Sequence, residues 1–385
     1  MERLKSLIPG PPAWTIDWPA WEALLGALVP AMAGTPQNPR HHGEGDVWRH
    51  TRLVCRALTA LPDYRGLEAE RRTALFLAAL LHDVGKPQTT RLEQGRWRSP
   101  HHAAVGAGLA RVFLWQDLGL SGTPEKQRLR ETVCRLIEYH TLPTHAIDDS
   151  DAVRRLRAVA SGGALCPGFS LALLCLLARA DVLGRICGDQ AQLLEQIALC
   201  AALAEEAGCD HAPFPFPTAH TRFAYLSGRD VPPEAPLYDA AWGPVLLLSG
   251  LPGTGKDTWI RDHGRGLPVI SLDDIRKELR IAPTEPQGPV VHTARARARG
   301  FLRQRQPFVW NATNLTPQVR RHQLQLFSDY GAAAEIHYLE TTWAEQLRRN
   351  RCRPEAVPEA AICRMLERLT PPQIPEAREV CWHTL

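Results

Sequence analysis

Lysine is scarce in this chain of 385 residues: it fills five of the 45 basic positions, Lys5, Lys86, Lys126, Lys256 and Lys277, and arginine fills the rest. A lysine inside a motif is therefore more informative than usual. No two of the ten cysteines form a C-x-x-C pair. They read as reduced core thiols of a cytoplasmic protein, not as a disulfide framework. Long apolar runs are missing too. The longest, Phe169–Ala178, is about half a membrane span. The stretch MERLKSLIPGPPAW lacks the apolar core of a signal peptide, so no membrane partner is expected. There is no internal repeat and no low-complexity segment. What is present, 44% hydrophobic and 22% charged residues, is the composition of a soluble globular protein. The length suits two or three domains.

The net charge of +4 is unevenly spread. From Gly243 to Leu385 there are 20 Lys and Arg against 15 Asp and Glu, a net of +5, and the remainder nets −1. A basic C-terminal half suits a polyanionic partner. The pattern changes at the same place. Up to about residue 208, runs such as VWRHTRLVCRAL and LALLCLLARADVLGRI carry apolar residues at helical spacing. One hairpin is expected at TTRLEQGRWRS, with Gly95 in the turn. A Pro-rich passage with Phe, Tyr and Leu follows and reads as a packed strap. After Gly243, PVLLLSG, PVISLDD, PFVWNATN and AAAEIHYLE read as short strands alternating with helices, which predicts a parallel sheet. The expected domains are all-helical 1–208, strap 209–242 and α/β 243–385.

The first half holds His50, the pair His82–Asp83, His101, His102, His140, His145 and Asp181. Asp181 lies inside the apolar helix LLARADVLGR, where an unpaired carboxylate would cost several kcal/mol. Either a metal shared with imidazoles or an ion pair to Arg179 or Arg185 would neutralise it. The order His, His-Asp, His, His, Asp favours the metal. Imidazole and carboxylate ligands suit a divalent transition metal such as Mn, Co, Ni, Zn, Cu or Fe.

The blocks HGEGDVWRHT, LLHDVGKP, HHAAVGA and ARADVLGR resemble the HD phosphohydrolase superfamily, in particular the HD domain of bacterial tRNA nucleotidyltransferases. The resemblance implies an all-helical fold that hydrolyses phosphoesters with bound divalent metal. It implies His50, His82, Asp83 and Asp181 as metal ligands, with Asp83 and Lys86 catalytic. It gives His102, rather than His101, and His140 to a second metal or the substrate phosphate, and His42 and Lys86 to the phosphate. His145 stays open between a site role and a solvated surface position.

In the second half, PVLLLSG runs into GLPGTGKDTWI, a strand followed by a phosphate-binding loop and a helix. Gly250, Gly253, Thr254, Gly255, Lys256, Asp257 and Thr258 form the loop, with Asp257 where a Ser or Thr is expected. A carboxylate there can still serve Mg²⁺ or its water shell. Lys256 would reach the β- and γ-phosphates of ATP or another nucleoside triphosphate. The next strand ends in SLDDIRKELR, which points Asp273 into the ligand cleft of an open α/β sheet; helix capping by Asp273 is the plainer alternative. The third strand ends VWNATNLT, with Asn311, Thr313 and Asn314 but no Asp-Glu pair of the motor-ATPase kind, which tilts toward a kinase.

These blocks resemble the P-loop polynucleotide 5′-hydroxyl kinases. The resemblance implies Asp273 as the acceptor of the substrate hydroxyl proton, Arg276 as a contact to the acceptor-side phosphate, and Arg353, within RNRCRPEAVP, as the lid arginine. Both halves in this order resemble the bacterial HD-domain polynucleotide kinase family. That implies a 3′-phosphatase, with 2′,3′-cyclic phosphate a further candidate substrate, joined to a 5′-kinase acting on RNA or DNA ends ahead of a ligase. Two alternatives stay open: a nucleotide phosphohydrolase fused to a small-molecule kinase, and a nucleic-acid-binding module gated by its P-loop.

Overall fold

The structure, a computed structural model, describes residues 2–353 and 355–385, with the backbone alone at 2 and 3. It divides into two compact units, Met1–Leu120 with Glu125–Phe214, and Ser121–Pro124 with Pro215–Leu385. Among the described residues no helix is long and apolar enough to cross a membrane.

The first unit is helical. Helix Ala69–Leu81 is buried at every position from Thr73 to Leu81, as expected of a central helix apolar on all sides. Helix Val47–Ala60 starts at Asp46, whose carboxylate accepts the Arg49 N–H at 2.9 Å. Helix Leu171–Leu183 starts at Ser170, whose hydroxyl accepts the Leu173 N–H at 3.2 Å. Caps of this kind are worth about 1 kcal/mol each, and here they fix where the site residues fall. Leu171–Leu183 packs on Val47–Ala60, on Ala69–Leu81 and on Gln190–Glu206. The expected hairpin is present: β1 (Arg91–Glu93) pairs antiparallel with β2 (Arg96–Arg98). Gln94 and Gly95 turn with φ of +50° and +75°, the two positive values of a tight hairpin turn.

The second unit is built on a five-stranded parallel sheet. Its strands are β3 (Trp242–Ser249), β4 (Val269–Ser271), β5 (Val309–Asn311), β6 (Ala332–Glu340) and β7 (Glu379–Thr384), in the order β4-β5-β3-β6-β7. The central β3 is buried from Val245 to Ser249, which explains its uninterrupted apolar run. Trp259 of helix Lys256–His263 joins Leu246, Leu248, Val309 and Leu339 in one core. Burying each such side chain is worth about 1.5–3 kcal/mol, so the helix that opens at the glycine loop is anchored to the sheet. Helix Gly288–Arg303 buries Val290, Ala294, Ala298 and Leu302, one residue every four, and turns its arginines off that face.

The Pro-rich passage contains helix Ala219–Leu226. The Thr221 hydroxyl donates to Ala235 O at 3.0 Å and accepts the Leu237 N–H at 3.1 Å, which holds the passage to itself. β7 was not anticipated from the sequence. Its alternation, E-V-C-W-H-T, is short and follows a Pro-rich turn, and it becomes a strand by pairing with the edge of β6.

Candidate functional site

In the first unit, residues far apart in sequence meet inside the helices. His50 comes from the first turn of Val47–Ala60; His82 and Asp83 lie in the turn just past Ala69–Leu81; Asp181 lies near the end of Leu171–Leu183. All four are buried. His50 Nε2 is 3.0 Å from Asp181 Oδ1, 3.4 Å from His82 Nε2 and 3.7 Å from Asp83 Oδ2. His82 Nε2 is 3.2 Å from Asp83 Oδ2. His102 and His140 complete the cluster, with Nε2 atoms 3.3 Å apart and His102 Nε2 3.5 Å from Asp83 Oδ1.

Three rings are oriented by one device. Nδ1 of His82, His102 and His140 lies 2.8, 2.8 and 2.7 Å from the carbonyls of Ala79, Ser99 and Ile137. A carbonyl can only accept, so Nδ1 carries a proton, and in the neutral ring Nε2 is left with the lone pair. Lone pairs and carboxylates therefore converge on one small volume, which is unfavourable unless a cation lies among them.

Two observations support a metal there. Asp83 is fully buried, yet neither of its oxygens makes a well-aligned hydrogen bond, although Lys86 Nζ lies 2.7 Å from Oδ2. The sets His50–His82–Asp181 and Asp83–His102–His140 each bring three ligand atoms together; in the first the atoms are 3.0, 3.4 and 3.9 Å apart, separations that two bonds of about 2.0–2.2 Å to a shared ion can span.

The charges follow the same logic. Burial opposes charge on His82, but Asp83 and Asp181 outweigh it and raise its pKa. Burial, reinforced by His82 and His102, pushes His140 down to about 3. Against the effect of burial, His82 and Lys86 hold Asp83 well below the carboxylate range, and Arg185 and His50 do the same for Asp181.

Of the two arginines open to Asp181, Arg185 pairs with it, while Arg179 Nη1 donates to Asp63 Oδ2 at 3.0 Å. The ion pair and the imidazole cluster thus coexist. Lys86 also donates to Gln37 Oε1 at 2.7 Å. His42 Nδ1 is 2.8 Å from Glu44 Oε1, and burial pushes the His42 pKa down to about 4. His101 has φ of +58° and is exposed, and His145 is exposed between two short turns; neither is in the cluster.

In the second unit the site lies at the C-terminal ends of β3, β4 and β5. Gly250 has φ of +149°, and a Cβ there would stand 2.5 Å from Leu339 O, so only glycine fits. Gly255, with φ of +92°, starts the helix Lys256–His263. The Gly250 N–H donates to Thr313 O at 2.9 Å, tying the loop to the end of β5. Lys256 Nζ donates to the carbonyls of Gly250 and Leu251, both at 2.9 Å, and burial pushes its pKa down to about 8. The Thr254 hydroxyl donates to Leu251 O at 2.9 Å and braces the loop from within. Asp257 and Thr258 are exposed. Asp257 Oδ1 accepts from Asn311 Nδ2 at 2.8 Å.

Asp273 pairs with Arg276 and lies 3.6 Å from Arg353 Nη2. Arg276 Nε also donates to Gln287 Oε1 at 2.8 Å. The helix after β4 is capped by Ser271, which accepts the Asp274 N–H, and not by Asp273. The Asp273 carboxylate is thereby available to the cleft.

Sequence reasoning did not single out Glu44, Gln37 or Arg349. Arg349 pairs with Glu345, and its Nη1 would lie 3.2 Å from a Cβ at Gly255. What places each of them at a site is a long-range contact: Glu44 to Ile186, Gln37 to Lys86, and Arg349 beside Gly255.

Residues 47–183 match the HD domain family, and residues 245–372 match the AAA domain family. The chain thus carries a helical HD domain followed by an AAA-type domain with a five-stranded parallel sheet. It is 42% identical over 97 residues to a CC-adding tRNA nucleotidyltransferase of Thermus thermophilus, covering 24% of this chain and 20% of that one. It is 34% identical over 113 residues to a Multifunctional CCA protein of Halorhodospira halophila, covering 29% and 25%. The chain therefore spans about a quarter or less of these relatives' length. A structure described as a presumed kinase from Chloroflexus aurantiacus aligns over 38% of this chain and 86% of that one at 14% identity, with a TM-score of 0.32, too low to carry an argument.

Proposed function

We propose that this chain repairs the ends of broken nucleic acids, removing a 3′-phosphate with its first unit and phosphorylating a 5′-hydroxyl with its second. In this reading residues 1–208 form the phosphohydrolase, 209–242 a connecting strap and 243–385 the kinase. The observation that carries it is the pairing, in one chain, of the Nε2-lined acidic pocket with a P-loop flanked by Asp273 and Arg276. One relative similar to this chain is, by name, a tRNA enzyme, which favours a nucleic-acid end over a free metabolite.

In the first unit, His50, His82, Asp83 and Asp181 would hold a divalent ion such as Mn, Co, Ni, Zn or Cu, with His102 and His140 available to a second ion or to the phosphate. A bound ion of this kind acidifies a water and polarises the phosphoryl oxygens. Lys86 and His42 then offset the charge of the substrate phosphate, and the carbonyl-bonded imidazoles keep their Nε2 atoms aimed inward. Removal of a 3′-phosphate is the primary activity, with opening of a 2′,3′-cyclic phosphate as a second reaction of the same site.

In the second unit, the backbone N–H groups of Gly253 and Gly255 and the ammonium of Lys256 bind the phosphates of Mg²⁺-ATP or another nucleoside triphosphate. Asp257, held by Asn311, faces the Mg²⁺ or its waters. Asp273 takes the proton of the 5′-hydroxyl. Arg276 contacts the acceptor-side phosphate, and Arg353 stabilises the charge of the transferring phosphoryl group. The products are ends that a ligase can join.

The test is to incubate the protein with ATP and a 5′-hydroxyl, 3′-phosphate oligonucleotide, then analyse both ends. Conversion of both ends supports the proposal. Turnover of mononucleotides alone supports a phosphohydrolase fused to a small-molecule kinase. ATP hydrolysis without transfer supports a gated binding module.

A further inference from the structure

Glu44, within the block HGEGDVWRHT, is 1% exposed. Its Oε1 lies 2.8 Å from both His42 Nδ1 and His50 Nδ1. Its Oε2 accepts the Ile186 N–H at 2.8 Å. Ile186 follows Arg185, the partner of Asp181. A single carboxylate therefore joins the segment that opens helix Val47–Ala60 to the turn that closes helix Leu171–Leu183. Those two helices deliver His50 and Asp181. A second contact closes the same seam, the Gly43 N–H donating to Ile186 O at 2.9 Å, and a Cβ at Gly43 would stand 2.9 Å from that oxygen.

The His50 contact is close but bent, without the alignment of a good hydrogen bond. Its effect is chiefly electrostatic. A carboxylate oxygen facing two ring nitrogens favours a proton on each of them. For His82, His102 and His140 a backbone carbonyl fills this role; for His50, Glu44 is the group in that position.

We infer that Glu44 is a positioning residue of the first unit: it faces Nδ1 of His50 and His42 and ties both rings to the Asp181 turn, so that when an ion takes His50 Nε2, now 3.0 Å from Asp181 Oδ1, Glu44 is the acceptor left for the ring proton at Nδ1. This rests on the metal reading of the pocket. Glu44→Gln keeps the size and the Ile186 contact while removing the charge. The full chain is titrated with Co²⁺ against a competing chelator, and its visible spectrum is recorded. Glu44→Gln should bind Co²⁺ about 10–100-fold more weakly, with an altered spectrum. Its 5′-kinase rate should match the parent, and Glu44→Asp should recover part of the affinity. Parent-like affinity and spectrum in Glu44→Gln would overturn the inference and leave Glu44 a brace of the seam. Should Glu44→Gln fail to fold, the ring-nitrogen NMR shifts of His50 in the Zn²⁺-loaded parent decide: metal on Nε2 with a proton on Nδ1 supports it, and the reverse overturns it. A parent protein that binds neither ion would sink the metal reading itself, an outcome distinct from the failure of the variant.

Discussion

The two units place their polar chemistry in opposite settings. In the first, His50, His82, Asp83 and Asp181 are at most 3% exposed, enclosed by the helices that form the core. In the second, Asp257, Thr258 and Asp273 are exposed beyond the strand ends, while the sheet beneath them is apolar. A helical domain with no open edge builds a site by burying ligands between helices. An open parallel sheet offers a ready cleft outside its strand ends. In the first unit the same residues therefore bear on both stability and chemistry. In the second the two roles are separable.

The largest expected effect tests whether the two sites are independent. Asp83→Ala should abolish 3′-phosphate removal and leave 5′-phosphorylation nearly intact, and Lys256→Ala should do the reverse. Loss of both activities from either change, in a protein that still folds, would break the comparison at its root. Metal removal should divide the units just as sharply. After chelation, a transition metal should be needed to restore the phosphatase, whereas Mg²⁺ should suffice for the kinase. Full phosphatase turnover with Mg²⁺ alone would count against the His/Asp site.

Within the second unit, Asp273→Asn should slow phosphoryl transfer by roughly 10²–10⁴, the usual worth of a general base, with little change in ATP affinity. Weak ATP binding with turnover preserved would mean that the carboxylate faces the wrong ligand. Stability sharpens the contrast. Asp181→Ala leaves Arg185 and the imidazoles without their carboxylate and should cost about 3–5 kcal/mol in denaturant unfolding of the first unit. Asp257→Ala, at an exposed position, should stay within about 0.5 kcal/mol. Equal losses would show that burial is not what separates the sites. The smallest effect belongs to the Mg²⁺ response. Asp257→Ala should raise the Mg²⁺ needed for half-maximal kinase activity, Asp257→Ser should recover part of it, and Asn311→Ala should shift it more weakly in the same direction. An unchanged Mg²⁺ curve in Asp257→Ala would make the carboxylate a bystander.

Much of this was legible in the residues. Helical spacing marked the first unit. Apolar runs between turn signals marked β3 to β6, and the Gly95 turn marked the hairpin. Asp181 stood out because a carboxylate in an apolar helix needs a partner, and the resemblance to the HD superfamily set His50, His82 and Asp83 beside it; the structure brings the four together. Glu44, inside the block HGEGDVWRHT, did not stand out, since its contact with Ile186 spans 142 positions. β7 escaped because a short edge strand takes its conformation from the neighbour it pairs with.

The sequence by itself determined the two classes of local structure, the glycine loop and the kinds of side chain available for chemistry, because periodicity, turn residues and ligand types act over a few positions. Only the tertiary structure decided that the Nε2 atoms of His50 and His82, and of His102 and His140, face one another, that Arg179 meets Asp63, and that Asn311 holds Asp257. Those choices depend on hydrogen bonds and charges a few ångströms apart in space between groups far apart in the chain, and no local pattern encodes such distances.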